Sequence, residues 1–423
     1  MTTPAGGVLA LAVAALVGVA AAPALAQSKR YPPPPVDADD VERSPSRLWE
    51  EVLHPRRGHY ERLVVAARDL LARDRAGAVE EAQKLVEEAR QLMPDGVEAH
   101  WLAALVYERT HTWQACAEAY DRVYALDPDY RPGERPGSLP AGRQAAWALD
   151  YGLATCMAQT GAYERAIAHW TRIAGRGFSA EARVHLPLGE TYMALGRLAE
   201  AIAVLRAADE RASKQPRVDY ALAVAYDRNE MPGEARRHLL AAWAKNPSLG
   251  ALEDPGAIFI PAADGYYYRA LAHAERGMSP TALVFFRHYL ARAGDGPWAP
   301  RAREHIAALA PAASSSALVV ASGSLAVDRD TLGEAVGRID AELQACVRPF
   351  PSVLFRLRVN LLAAPRVRRT VGVKAEVVHA FDADDAAVAA AQGCLEGVAE
   401  GLPLPVPARA QGSLTVDLPV IAR

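Results

Sequence analysis

Few residues in this chain have the types and spacing that chemistry demands. The densest carboxylate cluster, Asp382-Ala383-Asp384-Asp385, would suit acid–base work or a cation if it stood alone. It directly precedes an amphipathic stretch, where aspartates accept from free backbone N–H groups and complement the positive helix end, so capping is its expected role. His54 and His59 lie near Glu50 and Glu51, but their spacing matches no metal-ligand pattern. His100 and His185 are expected as hydrogen-bonded core histidines. H-E-x-x-H, G-x-S-x-G, the phosphate-binding loop, the dinucleotide fingerprint and C-x-x-C are all missing from the sequence. The expectation is a protein that is not an enzyme, with no catalytic residue, no cofactor and no metal.

Elements built to hold other molecules are a better match to the composition. The 423 residues allow two or three domains, and an apolar set dominated by alanine favours close-packed helices. A net charge of -3 creates no field that would gather nucleic acid. The apolar run from Val8 to Ala22, then Pro23 and Ala24-Leu25-Ala26, has the form of a cleaved secretory signal peptide spanning residues 1–26, with an uncleaved membrane anchor as the competing reading. No cysteine at the cleavage point would carry a lipid, and no later run reaches membrane length, so the expected location is periplasmic or secreted. Residues 27–46, with Pro32-Pro33-Pro34-Pro35, are expected to form an extended tether.

From about residue 63 to 310, apolar residues recur at helical spacing within a longer period. Leu188-Gly189, Tyr192, Gly196, Ala201, Leu205 and Ala208 form one unit. Leu153, Met157, Gly161, Ala166 and Trp170 repeat it 35 residues earlier, and Leu222, Tyr226, Ala235, Leu239 and Ala242 repeat it 34 residues later. A 34-residue period is that of a helix-turn-helix solenoid. The pattern resembles the tetratricopeptide repeat (TPR) family, with repeats at about 63–96, 97–130, 147–181, 182–215, 216–248 and 263–296 and a capping helix at 297–310. The expected fold class is therefore mainly α, a TPR solenoid within residues 47–310. Two insertions, 131–146 and 249–262, are expected as surface excursions between repeats.

Residues 311–317 have linker composition, and the pattern then changes to helix (Thr331–Cys346), two alternating strands (Phe355–Leu361, Val371–Val378), helix (Ala386–Glu400) and strand (Ser413–Ile421). That order predicts a small α+β domain over 318–423, two helices on an antiparallel sheet. Cys346, the hairpin strands, Cys394, and Pro403 with Pro405 resemble the AgmX/PglI-type, TonB-C-like domain of bacterial envelope proteins. Cys346 and Cys394 are the only cysteines of this domain and lie on helices that must pack together, so a disulfide is expected there, with two buried thiols as the alternative. Cys116 and Cys156 are expected as small buried hydrophobes.

The TPR resemblance implies a concave groove lined by the fifth residue of each first helix. These positions hold Trp101, Tyr151, Tyr220 and Tyr267, with Leu186 interrupting the row, and are flanked by Arg109, Arg183, Glu190, Arg217, Asp227 and Arg228. Aromatic and arginine side chains concentrate binding energy, which points to a groove for a protein or peptide; packing among neighbouring helices is the competing role for the same rings. The expected function is an exported scaffold that binds an envelope partner through this groove and uses the tail for a second envelope contact. The alternative is a non-catalytic accessory of peptidoglycan or polysaccharide metabolism, with Arg366, Arg368 and Arg369 touching an anionic cell-wall polymer.

Overall fold

Alanine-rich, amphipathic segments bounded by glycine and proline build paired antiparallel helices, and the computed structural model shows them in order. It describes residues 54–422 apart from 74, 133–144, 176–177, 212–214, 255, 314–319, 326, 365–366 and 405–410. The expected signal peptide and tether lie outside the described residues. The helices are α1 (Pro55–Leu71), α2 (Ala78–Leu92), α3 (Val97–Arg109), α4 (Trp113–Leu126), α5 (Ala145–Gln159), α6 (Tyr163–Ala174), α7 (Phe178–Ala194), α8 (Leu198–Arg211), α9 (Pro216–Arg228), α10 (Pro232–Lys245), α11 (Asp264–Glu275), α12 (Ser279–Ala293) and α13 (Ala299–Leu309). Together they form an α-solenoid of helix-turn-helix repeats.

The backbone carries the period independently of the side chains. Gly77, His111, Gly161, Gly196, Glu230 and Gly277 all adopt positive φ, and each is the fifteenth residue of its repeat. From the second repeat on this residue closes the end of the first helix, whereas Gly77 directly precedes α2 as its N-cap. In these later repeats the following N–H bonds back to the carbonyl five residues earlier: Thr112 to Tyr107, Ala162 to Met157, Arg197 to Tyr192, Met231 to Tyr226 and Met278 to His273, at 2.8–3.0 Å. That is the Schellman closure, which satisfies carbonyls a helix end would otherwise leave unpaired. Close helix crossing has a local cause as well, since a Cβ on Gly189 would stand 2.6 Å from Leu205.

The second insertion turns inward, which corrects the expectation of a surface excursion there, whereas residues 133–144 of the first lie outside the described residues. Tyr130, leading into the first, is buried and donates its hydroxyl to Glu98. In the second, a helical turn (Gly250–Glu253) buries Leu252, and Phe259 and Ile260 are buried against the solenoid. An Ile258-Phe259-Ile260 run has too much apolar surface to leave in water. A second correction concerns Cys116 and Cys156, whose Sγ atoms are 2.04 Å apart in a disulfide. It ties α4 to α5 across the first insertion, where the regular spacing between repeats is lost.

The tail holds β1 (Val320–Gly323), α14 (Arg329–Val347), β2 (Val353–Ala364), β3 (Val367–Ala380), α15 (Asp385–Glu400) and β4 (Gly412–Ile421). The sheet is antiparallel in the order β1-β4-β2-β3, with Val359 opposite Val373 on one side and Val416 on the other. Phe355, Leu357, Val359 and Leu361 alternate onto one face and pack with Leu332, Val336 and Leu343 of α14 and Leu395 of α15. Asp384 caps α15, accepting from Ala387 N at 2.9 Å, as its position before the helix implies. Cys346 and Cys394 join the two helices, Sγ to Sγ 1.96 Å.

Solenoid and tail belong to one compact unit, His59–Arg423. Leu283 and Val284 of α12 share an apolar cluster with Leu354 and Ile421, while Arg287 donates to the carbonyls of Pro351 and Ala422 at 3.0 and 2.6 Å. Arg292 meets Asp382 at 2.8 Å. The edge of the last repeat is thus covered by the tail as well as by α13.

Candidate functional site

Along the face shared by the first helices, the sequence-predicted groove residues divide into two groups. Trp101 and Tyr151 are half-buried, with Leu105 and Leu186 half-buried on the same face, and Arg109 is exposed. Trp101 lies 6.3 Å from Tyr130, and Tyr151 meets Trp170 edge-on at 5.0 Å. The side chain of Arg183 lies outside the described residues.

Glu190, Tyr220, Asp227, Arg228 and Tyr267, by contrast, are buried, with Tyr220 at 1% and Tyr267 at 0% exposure. An open row of four aromatics does not exist: its C-terminal half is interior. For Tyr267 the physical reason is a polar core. Asp227 accepts from the Tyr267 hydroxyl at 2.6 Å, Arg301 at 2.8 Å and His305 Nε2 at 2.9 Å. Burial pushes the Asp227 carboxyl up, but the bonds from His305, Arg301 and Tyr267 outweigh it and hold the group at about 2. Arg228, fully enclosed, pairs with Asp264 at 2.8 Å and lies between the rings of Tyr267 and Trp298, 4.7 and 4.9 Å from their centres. Burial opposes its charge, yet Asp264 keeps its affinity for the proton above the ordinary arginine range. A buried charge needs such partners, since an unpaired one costs several kcal/mol, on the order of 3 to 5.

The second insertion completes this closure. Gln159 donates to the Phe259 carbonyl at 2.6 Å, Arg217 to the Ile258 carbonyl at 2.7 Å, and Ile260 N–H to Glu190 Oε2 at 3.2 Å. Glu190 also receives Arg217 at 3.2 Å and the Tyr268 hydroxyl at 3.4 Å. Its burial dominates and lifts the carboxyl to about 7 despite Arg217.

Sequence reasoning missed Phe259, Ile260, Asp264, Tyr268, Trp298, Arg301 and His305. The one available signal was the apolar Ile258-Phe259-Ile260 run in an otherwise loop-like insertion, which implies burial but not against which helices. Among the described residues no group of three or more His, Cys, Asp or Glu could hold a metal ion, and no helix is long and apolar enough to cross a membrane.

No protein-family model and no curated protein matches the sequence. Solved structures with some likeness include MamA AMB-1, at 20% identity over 45% of this chain and 98% of that one with a TM-score of 0.35. Pseudomonas aeruginosa PilF aligns at 16% identity over 60% and 99%, TM-score 0.37. PilW, described as a type IV pilus biogenesis factor, aligns at 12% over 56% and 96%, TM-score 0.38. Likeness at this level assigns neither partner nor pathway to this chain.

Proposed function

We propose that the protein is an exported scaffold of the TPR type that binds a protein or peptide partner in the cell envelope through the N-terminal half of its concave face. The observation that carries this reading is the half-buried apolar row Trp101, Leu105, Tyr151 and Leu186, contributed by three successive repeats and flanked by the exposed Arg109. Half-buried aromatic and aliphatic side chains held on rigid helices offer contact area at little entropic cost on binding. Two disulfides support export, because such bonds persist in oxidising compartments. The tail, one side of which meets α12, keeps the proposed role of a second envelope contact through its remaining surface.

The test is site-specific photo-crosslinking in intact cells, with the photoreactive residue at Tyr151 and, as control, at the exposed Lys84 on a second helix. A discrete adduct from position 151 that is absent from position 84 and tolerates high salt is expected. Equal labelling from both positions would remove the basis for the concave reading. Adducts lost in salt would instead favour an anionic polymer.

A further inference from the structure

The second insertion is seated in the groove in the manner of a bound peptide. Ile258, Phe259 and Ile260 are consecutive, and each has one backbone polar group taken by a side chain from a different repeat: Arg217 of α9, Gln159 of α5 and Glu190 of α7. Gln159 is 100 residues from its partner. The Phe259 ring lies beneath the Arg217 guanidinium at 4.5 Å and edge-on to Tyr268 at 5.3 Å, and Gly265 leaves room for it, since a Cβ there would come within 2.8 Å of the ring. Backbone bonds to a seated segment, with a pocket for one of its side chains, are the means by which peptides are recognised in general.

We infer that this half of the groove is a peptide-binding site occupied by the chain's own Ile258-Phe259-Ile260 segment, and that it takes a partner segment of the same chemistry. That chemistry is a short segment with an aromatic residue followed by a β-branched aliphatic one. The inference rests on the proposed concave-face function and extends it to the closed half. Glu190, Arg217 and Gln159 are buried or half-buried. Removing the occupant without replacement strands their polar groups, so exchange for an equivalent peptide is favoured over an empty groove. Displacement lowers the apparent affinity of any incoming peptide by the fraction of molecules that are open.

The experiment uses the full chain with residues 257–261 replaced by an equal length of Gly and Ser, and a fluorescent synthetic peptide of residues 256–263. Binding at least tenfold tighter to the replaced variant than to the wild type is expected, with loss on adding Arg217→Ala and none with a peptide of permuted order. A variant that keeps its helical circular dichroism and both disulfides but ignores the peptide overturns the inference. A variant that fails to fold also overturns it, because an occupant that cannot leave is core. Equal binding to wild type and variant places the peptide elsewhere and does the same. Crosslinking at Tyr151 reads the open half of the face, so failure there is distinguishable from failure here.

Discussion

The backbone N–H of Ile260 bonds to Glu190 Oε2 at 3.2 Å across 70 residues of sequence, and this carboxyl titrates at about 7. The folded value lies above the ordinary 4.5, so the protonated form is favoured by folding. Its contribution to stability is fully present below pH 4.5 and is lost as pH rises through 7. Glu190→Gln removes that titration. The stability of the variant relative to wild type should rise by about 3 kcal/mol between pH 5 and pH 8. Denaturant unfolding of both proteins across that range checks it, and a pH-independent difference would contradict the burial argument. Taking the difference between the two proteins cancels His273, which burial lowers to about 4 and which loses stability as pH falls from 6.5.

The polar core yields a second expectation. Arg228→Met leaves Asp264 buried without its cation, and Asp264→Asn does the reverse; each should cost about 3 to 5 kcal/mol. Exchanging both for apolar residues of similar volume should cost less than the sum. A double-mutant cycle by thermal or chemical unfolding measures the coupling.

Position fifteen of the repeats offers a stabilising substitution. His111 and Glu230 occupy left-handed backbone, at φ 54° and 56°, where the other repeats carry glycine. Removing the Cβ penalty should stabilise Glu230→Gly by roughly 1 kcal/mol, whereas Gly196→Ala should destabilise by a similar amount. His111 also stacks on Trp113 at 5.0 Å, so His111→Gly should gain less. Melting temperatures of the three variants decide the matter.

The two disulfides span sequence separations of 40 and 48 residues. Loop entropy assigns each about 4 kcal/mol. Denatured but unreduced protein should therefore show no reactive thiol, and Cys116→Ser/Cys156→Ser should lower stability by loosening the junction of the second and third repeats. Mass spectrometry after thiol alkylation, with and without reductant, is the measurement.

The aromatic row should separate by readout. Tyr267→Ala opens the interior and should cost about 3 to 5 kcal/mol. Trp101→Ala with Tyr151→Ala should leave a cooperative thermal transition but weaken partner capture by about 2 kcal/mol or more. A double variant that spares capture would move the binding surface to the second helices or the tail.

Much of this architecture was legible in the residues alone, because the signals are local. A 34-residue recurrence of small and apolar positions dictates paired helices, since Gly189 and Gly196 each act within one repeat. The strand alternation in Phe355–Leu361 and the capping aspartate at Asp384 are likewise short-range. Pairing of Cys346 with Cys394 was legible because the tail contains only two cysteines. The partnership of Cys116 with Cys156 was not, because each also fits its position as a small core residue. Which groove aromatics are open was decided by tertiary structure. Trp101 and Tyr267 occupy the same repeat position, yet Tyr267 is enclosed by α13, whose Arg301 and His305 share with it the carboxylate of Asp227. The inward path of Ile258-Phe259-Ile260 was decided the same way, since its polar partners Gln159, Glu190 and Arg217 come from three repeats and meet only when the solenoid has formed.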